Sequence, residues 1–201
     1  MNGDDFWSLF DDKEVEVVPQ KMRKFLHRER APAEWTQSLG LYAYGYSYAF
    51  ERMVMIAIEL WPRADYLQMP VFFLARHAAE LQLKEIIERY ATYLRVPPET
   101  ASEHRLLKLW ERACSLMASA GAPASDRWTN HCRKLVQHLH DADPDGQRFR
   151  YPQDNSGTPF SYTRVELEQL AKAHGHIRLW CEASVDMFEG RQSDMRWEHR
   201  E

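Results

Sequence analysis

The chain has 201 residues, enough for one domain with a substantial core and marginal for two. Its formal net charge of -4 gives no basic field over the whole molecule, so any nucleic-acid contact must come from a local patch or from a groove between copies. No apolar run approaches the roughly 20 residues that a bilayer span needs, and Met1-Asn2-Gly3-Asp4-Asp5 is not the basic start of a secretory signal, so the expectation is a cytoplasmic protein without a membrane partner.

The opening segment, residues 1–32, mixes an apolar cluster (Phe6, Trp7, Leu9, Phe10) with a basic stretch holding Lys21, Arg23, Lys24, His27, Arg28 and Arg30. It reads as a charged arm or helix, either solvated or set against phosphate. Residues 33–190 then carry helical periodicity almost throughout, with abundant aromatic residues and no convincing run of β-branched alternation. The expected fold is all-α, a single bundle of about five main helices with a long loop before the last.

The first of these helices is expected from Ala33 to about Trp61, stopped by Pro62. Its middle, Leu41 to Phe50, places an aromatic ring at nearly every second position; a tyrosine stripe of this kind suits packing against a partner helix and can also stack bases. Gly40 and Gly45 are expected to allow a close crossing. The central helix is expected from Pro70 to about Leu94, opened by the proline and apolar on almost every side, hence the most buried. Within it Arg76, His77, Glu80 and Lys84 form one narrow polar stripe. Buried polar groups must be paired, so the stripe is either an Arg76–Glu80–Lys84 ladder that fixes packing or the lining of a functional cleft.

A third helix is expected from Arg105 to about Ala120, opened by Ser102-Glu103-His104, and a fourth from the N-cap Asp126 to about His140. Trp128, Cys132, Leu135, Val136 and Leu139 share one face of the fourth. A polar, turn-rich loop follows, from Asp141 through Arg148, Arg150 and Tyr151 to Pro159, long enough to be functional or flexible. The last helix is expected from Thr163 to about Glu189, with His174 as a core histidine in its apolar face, Gly190 ending it, and residues 191–201 as a charged tail.

Cys114, Cys132 and Cys181 are odd in number, belong to no C-x-x-C pair and sit among apolar neighbours, as buried thiols in a reducing compartment do. Nine histidines include no H-E-x-x-H or comparable cluster, so neither a metal nor a cofactor is expected.

The central helix Phe73-Leu74-Ala75-Arg76-His77-Ala78-Ala79-Glu80-Leu81-Gln82-Leu83-Lys84-Glu85-Ile86-Ile87, the downstream His104-Arg105-Leu106-Leu107-Lys108-Leu109-Trp110, and the loop Asp143-Pro144-Asp145-Gly146 leading to Phe149-Arg150-Tyr151-Pro152 together resemble the HEPN superfamily. These pieces span roughly residues 36 to 190. Members are all-helical nucleotide-binding and ribonuclease domains of bacterial toxin–antitoxin and phage-defence systems. Active members carry an Arg followed, after four to six intervening residues, by a His near a dimer interface, often with a polar residue from a neighbouring helix.

The matching pairs here are Arg133 with His138 and Arg133 with His140, on the helix before the loop, where the family's motif falls. On a continuous helix Arg133 and His140 lie about 20° apart, whereas His138 lies about 140° away from Arg133. The resemblance thus makes Arg133, His138 and His140 catalytic candidates, with Glu80 as the assisting polar residue. Arg76, Arg148 and Arg150 are the candidate substrate contacts. Metal-free ribonuclease chemistry asks for this set: a group to activate the ribose 2′-hydroxyl, one to protonate the leaving oxygen, and a cation on the phosphate.

Two functions stand open. One is a metal-independent endoribonuclease acting on RNA as a homodimer, a toxin or phage-defence effector. The other is a non-catalytic helical module that binds a nucleotide or a partner protein of a defence or toxin–antitoxin operon.

Overall fold

The computed structural model describes residues 38–100, 102–161 and 164–198, with side chains to residue 190. The expected arm over residues 1–32 lies outside them. The described residues belong to one unit and are all-helical, without a strand. Five helices form it: α1 (Leu39–Glu59), α2 (Gln68–Leu94), α3 (Leu106–Ser119), α4 (Arg127–Ala142) and α5 (Leu167–Glu198), with a 3-10 turn over Asp65–Leu67 before α2.

α2 is the axis, as its apolar surround predicts. Val71, Ala75, Ala78, Leu83, Ile86, Ile87, Tyr90 and Ala91 are buried, and α2 packs against α1, α3 and α5. α4 closes the far side by lying against α3 and α5, and α1 rests on α2 and α5. The core is filled by large rings at contact distance: Trp110 of α3 against Trp180 of α5, with centroids 4.1 Å apart, and Phe72 of α2 against Phe149 of the loop at 3.9 Å.

Several expected boundaries shift for local reasons. α2 opens at Gln68, so Pro70 is its third residue; it is tolerated there because the first-turn N–H groups have no partner within the helix anyway. The Gln68 side chain ties the entry instead, donating to the Asp65 carbonyl and accepting the Val165 N–H at 2.8 Å. α3 starts at Leu106 with Arg105 as its N-cap and no side-chain cap, while just ahead of it the Glu103 carboxylate of the expected Ser102-Glu103-His104 opening accepts the N–H groups of His104 and Arg105. Asp126 does cap α4, accepting from Trp128 and Thr129. Beside it Trp128 turns outward, while Thr129 takes the buried place and accepts the indole N–H of Trp180.

α5 continues past Gly190 to Glu198, since one helical glycine costs only about 1 kcal/mol relative to alanine. Of the two glycines in α1, only Gly40 meets a close neighbour: a Cβ there would lie 2.5 Å from Glu85 Oε1, whereas Gly45 faces open space. His174 is in the core against Phe50, yet neither ring nitrogen makes a hydrogen bond of normal geometry. Burial first, then Arg178, pushes its pKa down to about 4, weakly offset by the Ala75 backbone, so the ring is neutral.

Candidate functional site

The polar stripe of α2 pairs along the helix as the Arg76–Glu80–Lys84 ladder expected, and Arg76 also gathers two other segments. Arg76 is only 3 % exposed and has a partner on each guanidinium nitrogen. Nε donates to the Asp143 carbonyl at 2.9 Å, Nη2 to the His104 carbonyl at 2.8 Å, and Nη1 to Glu80 Oε2 at 3.3 Å. One side chain therefore holds the entrance of α3 and the exit of α4 against the middle of α2. The planar guanidinium fork makes this three-way bond available where a lysine could not.

Two features of the loop after α4 fit it to that guanidinium. Gly146 takes φ +78, and a Cβ there would lie 2.8 Å from Arg76 Nη1, so only glycine satisfies both the turn and the approach. Asp143, also buried, puts Oδ2 3.5 Å from Arg76 Nε and accepts the Arg148 N–H on Oδ1.

Glu80 is the hub. Its Oε1 accepts from Lys84 Nζ at 2.9 Å and faces His104 Nδ1 at 2.9 Å. Burial pushes the Glu80 pKa up, but hydrogen bonds from Lys84 and His104 outweigh it and hold the carboxyl below its ordinary value. An ionised carboxylate only accepts, so His104 must donate through Nδ1. Arg76, Lys84, Glu80 and Asp143 balance one another in charge, and the His104 ring projects from this neutral base with its side chain 59 % exposed. A buried carboxylate orienting an exposed imidazole in one tautomer suits the histidine to proton transfer.

His77, one residue beyond Arg76, is half-buried, edge-on to Tyr46 at 4.4 Å and stacked on Phe73 at 5.5 Å. Its burial lowers its pKa, so it too is neutral.

The site candidates from the sequence divide between this cluster and other places. Arg76, Glu80, Arg148 and Arg150 belong to it. Arg148 spans to the Ser161 carbonyl, and Arg150 donates to the Gly146 carbonyl and lies over the rings of Phe73 and Tyr151. His140 is one turn before Asp143, half-buried, with no hydrogen-bond partner on Nδ1. Arg133 lies two turns earlier on the side of α4 that faces α3, exposed, with Nη2 3.9 Å from Glu111 Oε1. His138 faces the other way, into a cavity of about 560 Å³ between α4 and α5, which His131 and His176 also line. Within one subunit Arg133 and His138 do not meet, and the histidine on Glu80 is neither His138 nor His140.

Sequence reasoning missed His104 as a site residue. Its signal was present, since His104 opens one of the three segments that carry the family resemblance, but its partner Glu80 is 24 residues away. Among the described residues no group of three or more His, Cys, Asp or Glu side chains is placed to hold a metal ion. The cysteines are inert: burial pushes the Cys114 and Cys132 thiols up to about 11 and that of Cys181 well above its ordinary value.

In comparisons with known proteins, no family model matches the chain, and no curated protein or solved structure matches it significantly.

Proposed function

We propose that this protein is a HEPN-like, metal-independent endoribonuclease of a defence or toxin–antitoxin system, acting as a homodimer, with His104 as its proton-transfer group. The observation that carries this reading is the His104–Glu80 pair: an exposed imidazole held through Nδ1 by a buried carboxylate. In the reaction His104 Nε2 removes the proton of a ribose 2′-hydroxyl, and the 2′-oxygen attacks the adjacent phosphorus. The 5′-oxygen leaves with a proton from a second acid, and the products are a 2′,3′-cyclic phosphate and a 5′-hydroxyl. The second acid is His140, or His104 of the other copy. Arg150, exposed and close to the cluster through Gly146, supplies the cation for the phosphate.

A stripe on α1 supports the homodimer. Tyr44, Tyr48, Met55 and Ile56 are exposed at helical spacing, and Met55 is 63 % exposed. Together they form an apolar face of the kind that a second copy covers.

One observation favours the non-catalytic alternative, a module that binds a partner protein or nucleotide. Arg133 pairs with Glu111 and points away from His138, so the Arg-His set that the resemblance implies does not close within one subunit.

The deciding experiment incubates the purified protein with end-labelled RNAs in excess chelator, with Arg133→Ala and His104→Ala variants in parallel. The proposal expects cleavage that survives chelation and is lost in His104→Ala. Cleavage abolished by chelation, or unaffected by His104→Ala, would overturn it.

A further inference from the structure

The loop between α4 and α5 carries an exposed aromatic surface that the His104–Glu80 chemistry does not use. Tyr151 is 56 % exposed. Tyr151 lines two hollows. The first, about 400 Å³, is lined by Met69, Phe149, Pro152 and Phe160, with Arg148 and Ser161 as its polar members. The second, about 510 Å³, is lined by Gln147, Gln153, Asp154 and Asn155. Arg150 and Pro152 border both, and the Arg150 guanidinium lies 5.6 Å from the Tyr151 ring centre.

The loop is long but tied down. Phe149 is buried on Phe72, Arg148 spans to Ser161, and Gln153 pairs with Pro159 across the turn. Asp154, which lines the second hollow, has its Oδ1 taken up by the Ser156 and Thr158 N–H groups and the Ser156 hydroxyl. Tyr151 is thus a ring presented on a fixed base, which spares the cost of ordering it on binding.

We propose that this loop is a stacking platform for single-stranded RNA. One nucleobase stacks on Tyr151 in the hollow walled by Met69 and Phe160, and the neighbouring phosphate lies on Arg150. The dimensions suit this, because the hollow exceeds a base in volume and its lining is mostly apolar, with Arg148, Arg150 and Ser161 as its polar residues. Stacking on an exposed ring beside a guanidinium is the general mode of sequence-tolerant single-strand binding. The platform also adjoins the chemistry: Arg150 holds Gly146, Gly146 rests on Arg76, and Arg76 holds His104. This inference deepens the ribonuclease reading and rests on it for the choice of RNA as ligand.

The test is fluorescence anisotropy with a labelled ten-residue oligoadenylate, using full-length protein with His104→Ala so that the probe stays intact. Tyr151→Ala is expected to weaken binding about tenfold or more, the scale of one lost base stack, and Tyr151→Trp to retain it. Arg150→Ala should weaken binding and reduce the slope of log K against log salt by about 0.7, the value for one phosphate contact on a single strand. Binding unchanged within twofold in Tyr151→Ala, or no binding of the oligonucleotide at all, overturns the platform. The two readings fail separately. Tyr151-dependent binding without RNA cleavage by the wild type keeps the platform and removes the nuclease; cleavage with Tyr151-independent binding does the reverse.

Discussion

His104 Nδ1 lies 2.9 Å from Glu80 Oε1, and the two residues differ sharply in setting, the imidazole in solvent and the carboxylate buried on α2 between Arg76 and Lys84. A histidine so placed gains orientation without itself being desolvated. The buried carboxylate is held charged by neighbours that remain when the histidine changes its protonation state. This relationship joins the packing of the bundle to the function proposed for it.

The packing half predicts a large stability effect at Arg76. Arg76→Ala leaves Glu80 and Asp143 buried without their guanidinium and should cost about 3–5 kcal/mol, the range for breaking one side of a buried ion pair. Urea denaturation followed by circular dichroism measures this, and a loss below about 1 kcal/mol would show that the three-way bond does not hold the bundle.

Gly146→Ala should also destabilise. The left-handed backbone costs a non-glycine residue about 1–2 kcal/mol, and the new Cβ must displace the Arg76 guanidinium. By contrast Arg133→Ala, at an exposed 3.9 Å pair, should leave stability within about 0.5 kcal/mol. The same denaturation experiment compares the two, and equal effects would contradict the placement of Gly146 against Arg76.

Stability should depend on pH in two separate windows. His174 has its pKa lowered to about 4 in the fold, so the unfolded chain binds its proton more readily; its contribution is complete above about 6.5 and is lost as pH falls toward 4. His77 acts in the same direction. Glu80 is depressed below its ordinary value of 4.5, so its contribution is present above that value and fades as pH falls through the lower, folded one. His174→Phe should therefore flatten the melting temperature between pH 6.5 and 4 without removing the loss at lower pH. A pH profile identical to that of the wild type would show that His174 is not buried neutral.

The α1 stripe predicts the assembly. Light scattering at micromolar concentration should give a dimer for the wild type and a monomer for Met55→Glu, with unchanged helical content. A monomeric wild type would remove the second copy from the proposal.

The bundle was legible from sequence because helical periodicity is local. The five helices, the burial of α2 and the Asp126 cap all follow from residues within a few turns of each other. Boundaries were less legible where a competing local partner intervened, as Gln68 did at the start of α2. Within the candidate site, spacing along α2 exposed Arg76, Glu80 and Lys84 as a ladder. It could not show that Arg76 also collects the His104 and Asp143 carbonyls, 28 and 67 residues away. The Arg133–His138 spacing was visible in the sequence, but the two faces of α4 on which these residues lie are set by packing against α3 and α5.

The most direct measurement is single-turnover cleavage of a labelled RNA in excess chelator, comparing wild type with His104→Ala and His104→Gln. The wild type should leave a 2′,3′-cyclic phosphate terminus or its hydrolysis product. Both variants should lose at least about 100-fold in rate, the scale of general acid–base catalysis by one side chain, while the melting temperature changes little because the ring is exposed. Wild-type rates in both variants, or a wild type inactive only when chelated, would contradict the assignment of His104 as the group that moves the proton.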